Sequence, residues 1–398
     1  MKSLSRKALT IEPSQTLALF ARAKNMKAEG IDVVSFTAGE PDFPTPAIIK
    51  DAGIKAIQEN FTKYTPNPGI PELRKAIAEK LKKENQVAVE PSQILVSNGA
   101  KHSVFNALQA ICNKGDEAII PAPFWVSYPE MVKLVDAKPV LVKTTFANQF
   151  KMTAAQLKKA ITKKTKLLII NSPSNPTGAV YTPEELAEIG KVVASAGIYV
   201  IADEIYEKVI FDGIRHFSLG SIKEIRDQVI TVNGCSKAYS MTGWRIGFMA
   251  AKREIIKAAE DYQGQVTSNA NSIAQRAALA AFTNNLDADL NSMVSEFDRR
   301  RRYLLGQFRE IEGIDFVYPR GAFYLFFHAK SYLNKAFDGK RMKSSDDLCE
   351  YLLLEHQVAM VPGTGFGDRN WIRLSYACSM EDLQKGVERL KKGLARLG

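Results

Sequence analysis

Residues 228–247 read Gln228-Val229-Ile230-Thr231-Val232-Asn233-Gly234-Cys235-Ser236-Lys237-Ala238-Tyr239-Ser240-Met241-Thr242-Gly243-Trp244-Arg245-Ile246-Gly247. A short β-branched run ends in small residues, so a strand delivers Lys237 onto a tight turn. The same pattern recurs along the chain: ILVSNG from Ile94, AIIPAP from Ala118, PVLVKT from Pro139, KLLIINSP from Lys166, YVIADEIY from Tyr199 and WRIGFMAA from Trp244. Amphipathic helical patterns lie between these runs. Strands alternating with such helices specify an α/β domain with a mostly parallel sheet. Ligands of these sheets bind beyond the carboxyl ends of the strands, where several of the runs give way to Gly, Pro, Asn or Ser.

Helix signals agree locally. Thr182-Pro183-Glu184-Glu185 supplies an N-cap, a proline at the first helical position and acids in the first turn. Beyond about residue 285 the pattern changes to a long helix (290–310), the strand AFYLFFHA, the helix DDLCEYLLLEH, the strand WIRLSYA and a last helix capped by Ser379. This reads as a smaller α+β domain completed by the N-terminal segment. The expected division is a large domain over 45–285 and a small one over 1–44 and 286–398.

The 398 residues, 45% hydrophobic, suffice for two cores. No apolar run approaches the ~18 residues of a membrane span, and the N-terminus has no apolar stretch before a cleavage site, so a non-exported, cytoplasmic protein is expected. Cys112, Cys235, Cys349 and Cys378 form no CxxC pair, and His102, His216, His328 and His356 show no HExxH spacing; neither a disulfide framework nor a metal is expected. The formal charge of +11 admits nucleic acid or anionic substrates. Its densest run, Arg299–Arg302, lacks interleaved aromatics and reads as a solvated helix face, so no nucleic-acid partner is expected. Gly363-Thr364-Gly365-Phe366-Gly367 has neither GxGxxG spacing nor a strand–loop–helix setting, and reads as a turn before the strand bearing Arg373.

Each chemically suggestive residue has an ordinary explanation when taken alone. Lys237 could be solvated, a substrate clamp or a Schiff-base nucleophile. Asp203, in Ile201-Ala202-Asp203-Glu204-Ile205-Tyr206, could simply end a buried strand, and Asn175-Pro176-Thr177-Gly178 could simply turn the chain. Gly99-Ala100-Lys101 places small residues at a helix start, which suits a tight turn or an anion. Trp125 could be core.

Read together, Ser236-Lys237 through Arg245-Ile246-Gly247 closely resembles the pyridoxal 5′-phosphate (PLP) lysine signature of the class I aminotransferases. That resemblance implies the PLP-dependent transferase fold type I, whose large domain has a mostly parallel seven-stranded sheet beside a smaller α+β domain. It also implies that Lys237 forms the Schiff base and moves the substrate proton, with its pKa lowered for that work. Asp203 matches the partner of the pyridine nitrogen, and Tyr206 and Asn175 match the donors to the ring phenolate. Gly99, Ala100, Lys101, Ser236 and Arg245 match the phosphate contacts. Trp125 matches the residue stacked on the ring.

For the substrate, Arg373 matches the α-carboxylate clamp, with Gly39 contributing its backbone. Tyr64 matches the tyrosine that reaches the phosphate of a neighbouring subunit, which implies a homodimer with shared active sites. These matches keep the family's order along nearly the whole chain. Within the family the sequence is most similar to bacterial aspartate aminotransferases of the branch that uses a lysine for the distal carboxylate. Lys101, Ser14 and Thr16 fall at those positions. Ala100 departs from a frequent glycine, and Glu12 stands where relatives commonly carry a base, which disfavours a prephenate-type substrate.

The expected reaction is aspartate:2-oxoglutarate transamination by a ping-pong route. Aminotransferases of aromatic amino acids, alanine, kynurenine or glutamate and prephenate share the same cofactor residues. A β-lyase on this fold would turn over amino acids without a 2-oxo acid. A non-catalytic regulator would need an attached DNA-binding domain, for which no segment is expected.

Overall fold

A computed structural model describes residues 4–13 and 15–398. The seven β-branched runs form one sheet: β1 (Ile94–Ser97), β2 (Glu117–Ala122), β3 (Lys138–Lys143), β4 (Thr165–Asn171), β5 (Tyr199–Asp203), β6 (Val229–Gly234) and β7 (Gly247–Ala250). Their order is β1-β7-β6-β5-β4-β2-β3. The pairings from β6 to β3 are parallel, and β7 runs antiparallel to both β6 and β1.

Packing explains why these strands are almost continuously apolar, since the sheet is covered on both faces. Helices α1 (Ala100–Ile111), α2 (Ser127–Leu134), α3 (Pro183–Ala196) and α4 (Arg253–Val266) do the covering. On one face Ile169, Ile201, Ile230 and Val232 meet Leu108, Val132 and Ile256 of α1, α2 and α4. On the other, Leu168, Ile170, Val200 and Val229 meet Leu186, Ile189 and Val193 of α3. Each such side chain contributes about 1.5–3 kcal/mol on burial. The expected cap of α3 is present: Thr182 Oγ1 accepts from the Glu185 amide, and Gly197 ends the helix at φ 66°.

A second core surrounds β8 (Asp315–Phe316), β9 (Tyr324–His328), β10 (Val361–Pro362) and β11 (Trp371–Ser375), which form an antiparallel sheet in the order β10-β11-β9-β8. Helix α5 (Asp287–Arg309) and α6 (Met380–Ala395) pack on it, with Phe297 stacked on Phe323 at 5.1 Å. The N-terminal segment joins this core, because Val34–Ser35 pairs with Val358–Ala359 and the Ser375 amide donates to the Phe36 carbonyl at 2.9 Å.

One expectation is corrected here. Arg299 and Arg302 lie on an exposed face of α5, whereas Arg300 and Arg301 are buried. Arg300 grips Asp42 through two hydrogen bonds, and Arg301 grips Asp212 in the same way. Four consecutive helical positions sweep a full turn, so two must face inward, and the planar guanidinium fork makes burial tolerable when carboxylates meet it. Among the described residues, no helix is long and apolar enough to cross a membrane.

Candidate active site

Beyond the carboxyl ends of β4, β5 and β6, and under the edge of the second core, lies a cavity of ≈ 330 Å³. The register explains the convergence. Asn171 and Asp203 are paired neighbours at the ends of β4 and β5, and Lys237 follows β6 on its turn. From the opposite side, Arg373 on β11 and Tyr324 on β9 sit diagonally on one face of the small sheet and project to the same space.

Asp203 is fully buried. Tyr128 donates from its hydroxyl to Oδ2 at 2.6 Å, and the Ile205 amide donates to Oδ1 at 3.2 Å. Desolvation pushes its pKa up to about 6, even though both donors pull the other way. Lys237 donates to the Gly39 carbonyl, and its ammonium lies 5.9 Å from the Tyr206 ring centre. Desolvation lowers it to about 8; Glu40 opposes this, while Arg245 and Arg373 add to it. The site therefore holds an easily protonated acid beside an easily deprotonated amine.

Arg373 is fully buried, and among the described residues no carboxylate pairs with it. Nη1 donates to Asn175 Oδ1 at 3.0 Å and Nη2 to the Thr37 carbonyl at 2.9 Å, while Nε has no partner among the described residues. The Tyr324 ring lies 4.5 Å beneath the guanidinium, and its hydroxyl is 2.8 Å from that of Tyr206. A buried, uncompensated cation is costly, which points to an anionic ligand group entering from the cavity.

Next to Ala100 and Lys101 of the cavity wall, Gly99 caps α1 with φ 85°, at a helix start whose first amides have no partners within the helix. Arg245 reaches over this turn, its Nη2 donating to the Asn98 carbonyl at 3.3 Å. Side chains are excluded here: a Cβ on Gly99 would lie 2.5 Å from Arg245 Nη2, and one on Gly247 would lie 2.2 Å from the Ala100 amide nitrogen. Backbone cannot yield as a side chain can, so Gly247→Ala should cost about 2–3 kcal/mol in chemical denaturation. An unchanged midpoint would show that β7 can shift away from α1.

The cavity wall includes Gly39, Ala100, Lys101, Trp125, Asn175 and Asp203, and also Tyr206, Ser236, Lys237, Arg245, Arg373 and Thr16. Lys101 lies over the Trp125 ring at 5.0 Å. Tyr64 is not brought to this cavity; it is 91% exposed on the outer surface. Ser14 lies outside the described residues. Glu12 is exposed and bonds through its backbone amide to Glu130.

Tyr128, Tyr324 and Asn171 were not singled out from the sequence. Nothing distinguishes Tyr128 or Tyr324 from core aromatics along the chain, because only the fold aims their hydroxyls at Asp203 and Tyr206. Asn171 ends β4 within the KLLIINSP run, where its Oδ1 accepts from the Asn175 amide at 2.8 Å. Behind Asp203, Lys80 and Asn85 bond Glu207, and His216 Nε2 lies 2.9 Å from Glu204. Glu204, Glu207 and His216 thus bring three possible metal ligands together, but Lys80 and Asn85 already occupy Glu207.

Residues 31–390 match the family model described as Aminotransferase class I and II. A bifunctional aspartate aminotransferase and glutamate/aspartate-prephenate aminotransferase of Petunia hybrida is 47% identical over 99% of this chain and 83% of its own length. Among solved structures, the aspartate aminotransferase of Rhizobium meliloti superposes with a TM-score of 0.96 at 40% identity, covering 100% of both chains. That of Thermus thermophilus with maleate gives 0.94 at 40% identity, covering 99% of this chain and 100% of the other.

Proposed function

We propose that this chain, which belongs to the class I and II aminotransferases, moves the amino group of L-aspartate to 2-oxoglutarate and so yields oxaloacetate and L-glutamate. Its cofactor is pyridoxal 5′-phosphate, on which the family's chemistry rests. The donor set fits that group: a lysine held near pKa 8, a buried carboxylate, and a glycine-lined helix start under an arginine. When bound, the cofactor supplies an electron sink for negative charge at the substrate Cα.

Within that reading each side chain has a task. Lys237 holds the cofactor covalently and moves the proton at the substrate Cα; its lowered pKa leaves a usable neutral fraction near pH 8. Asp203 keeps the ring nitrogen protonated by presenting a dry negative charge. Tyr206 and Asn175 donate to the ring phenolate, and Trp125 fixes the ring plane. Gly99, Ala100, Lys101, Ser236 and Arg245 hold the phosphate.

Arg373 binds the α-carboxylate, its planar fork directing two parallel hydrogen bonds, and Gly39 adds a backbone contact. Lys101, Ser14 and Thr16 hold the distal carboxylate; the buried Thr16 Oγ1, unpartnered among the described residues, supports this. Because the amino group must stay on the enzyme while one oxo acid leaves and another enters, the kinetics are ping-pong.

The observation that carries the reading is the fully buried, carboxylate-free guanidinium of Arg373 facing Lys237 across the cavity. A dicarboxylate with one end on Arg373 and the other near Lys101 neutralises both cations. The names of the relatives, aspartate with or without prephenate, agree with such a substrate. The test is a donor and acceptor panel on the holoenzyme. Aspartate should bleach the yellow absorbance and release oxaloacetate, ahead of alanine, tyrosine and kynurenine, with prephenate a poor acceptor because Glu12 adds negative charge. A preference for alanine or an aromatic donor would reassign the substrate, and turnover without any 2-oxo acid would indicate a lyase.

The working unit we propose is a cytoplasmic homodimer in which Tyr64 serves the neighbouring site. Its 91% exposure supports a partner contact at that residue. Residues 45–285 form the cofactor domain, with 1–44 and 286–398 forming the small one. The aromatic core around Phe297, Phe323 and Tyr376 supports that division, and Ile205, Tyr206, Val209 and Phe211 of the cofactor domain pack into it along the seam.

A further inference from the structure

We propose that Tyr128 is a positioning residue that holds Asp203 charged and aimed at the cofactor's ring nitrogen. This rests on the reading of Asp203 given above. The hydroxyl of Tyr128 is the sole side-chain donor to the Asp203 carboxylate among the described residues, at 2.6 Å from Oδ2; the Ile205 amide serves Oδ1. An O–H···O⁻ bond of this length to an ionised acceptor is among the stronger hydrogen bonds available to a protein.

The donor is rigid as well as close. Tyr128 lies in the first turn of α2, is 2% exposed, and has its ring held edge-on by Trp125 at 5.2 Å and 87°. The residue assigned to stack on the ring therefore also fixes the residue that orients the ring's counter-ion. Other charges act on Asp203 from further off: Glu204 disfavours its ionised form and Lys237 favours it. Burial pushes the carboxyl pKa upward, and Tyr128 is the leading force against that. Without the hydroxyl, Asp203 ionises less readily, the ring nitrogen loses its counter-charge, and the electron sink weakens. Substrate contacts at Arg373 are untouched.

Tyr128→Phe keeps the ring and its packing, so the holoenzyme can be compared directly with wild type. Two readouts separate positioning from packing. The pH at which the bound cofactor's absorbance changes should move by about half a unit or more. The kcat with aspartate should fall about tenfold to a hundredfold, with KM changed less than about threefold, as expected for a hydrogen bond to a charged group felt after binding. Reconstitution with N-methylated pyridoxal phosphate, whose ring is permanently cationic, should bring the variant to within about threefold of wild type loaded the same way. An unmoved absorbance titration, or a loss in kcat that the N-methylated cofactor leaves in place, overturns the proposal. A wild-type protein that fails to transaminate would refute the activity instead, and the absorbance titration would still decide the role of Tyr128.

Discussion

Lys237→Ala should lose at least about 10⁴-fold in kcat with aspartate, because one side chain carries both the covalent attachment and the proton transfer. Two features of the site lead to that size. Lys101 also lines the cavity, and desolvation and Arg245 lower its pKa, but it sits over the Trp125 ring instead of at the Gly39 carbonyl, and Arg373 and Arg245 carry guanidinium forks rather than amines. Lys237 is also placed by the Gly39 carbonyl, so a neighbour cannot take over its geometry. Single-turnover absorbance measurements with aspartate check the rate. The fold should not suffer, because the substitution removes a cation whose desolvation outweighs the attraction of Glu40 and Asp203; melting of the variant apoprotein should match or exceed wild type. A loss of less than about tenfold would move the proton transfer to another group.

Asp203→Asn should separate activity from stability with opposite signs. Catalysis should fall about 10³-fold in kcat, since the amide has the same shape but no charge, and breaking a buried pair costs about 3–5 kcal/mol. Stability of the apoprotein should rise. Burial holds the Asp203 carboxyl near pKa 6 against an ordinary 3.8, so the folded state binds a proton that the unfolded state has released between those values. Wild-type stability from this group therefore declines as pH rises through that window and stays lower above it. At pH 7 the asparagine variant, which never ionises, should recover roughly 2–3 kcal/mol of that cost. Urea titrations of both apoproteins at pH 4 and pH 7 measure it: the difference should be small at pH 4 and full at pH 7. Equal stability at both would mean that Asp203 is not desolvated in solution.

Much of the site was legible because its residues stand where strands end. Asp203 and Lys237 terminate β-branched runs that can only be strands, and the glycine and proline turns behind them mark the ligand edge of a parallel sheet. Arg373 was legible for another reason: it falls at the position of the family's α-carboxylate clamp, a task that suits the planar guanidinium fork. Tyr128 and Tyr324 were not legible, because an aromatic at the second position of a helix or at a strand start is indistinguishable from core until the fold aims its hydroxyl. Arg300 and Arg301 were misread as solvated. Their partners, Asp42 and Asp212, are distant in sequence, and burial of a cation is decided by whether such a partner arrives.

By itself the sequence determined the local elements and the carriers of chemistry: seven strands, their capped helices, and the order of Lys237, Asp203, Asn175 and Arg373 along the chain. These depend on side-chain periodicity, turn residues and caps, all of which act over a few positions. Tertiary structure alone decided that β7 inserts antiparallel between β1 and β6, that Tyr128 rather than a charged group holds Asp203, and that Arg373 lines the cavity with no carboxylate partner among the described residues. Those outcomes come from contacts between segments tens to hundreds of residues apart, where close packing and the need to satisfy each buried polar group select the partner.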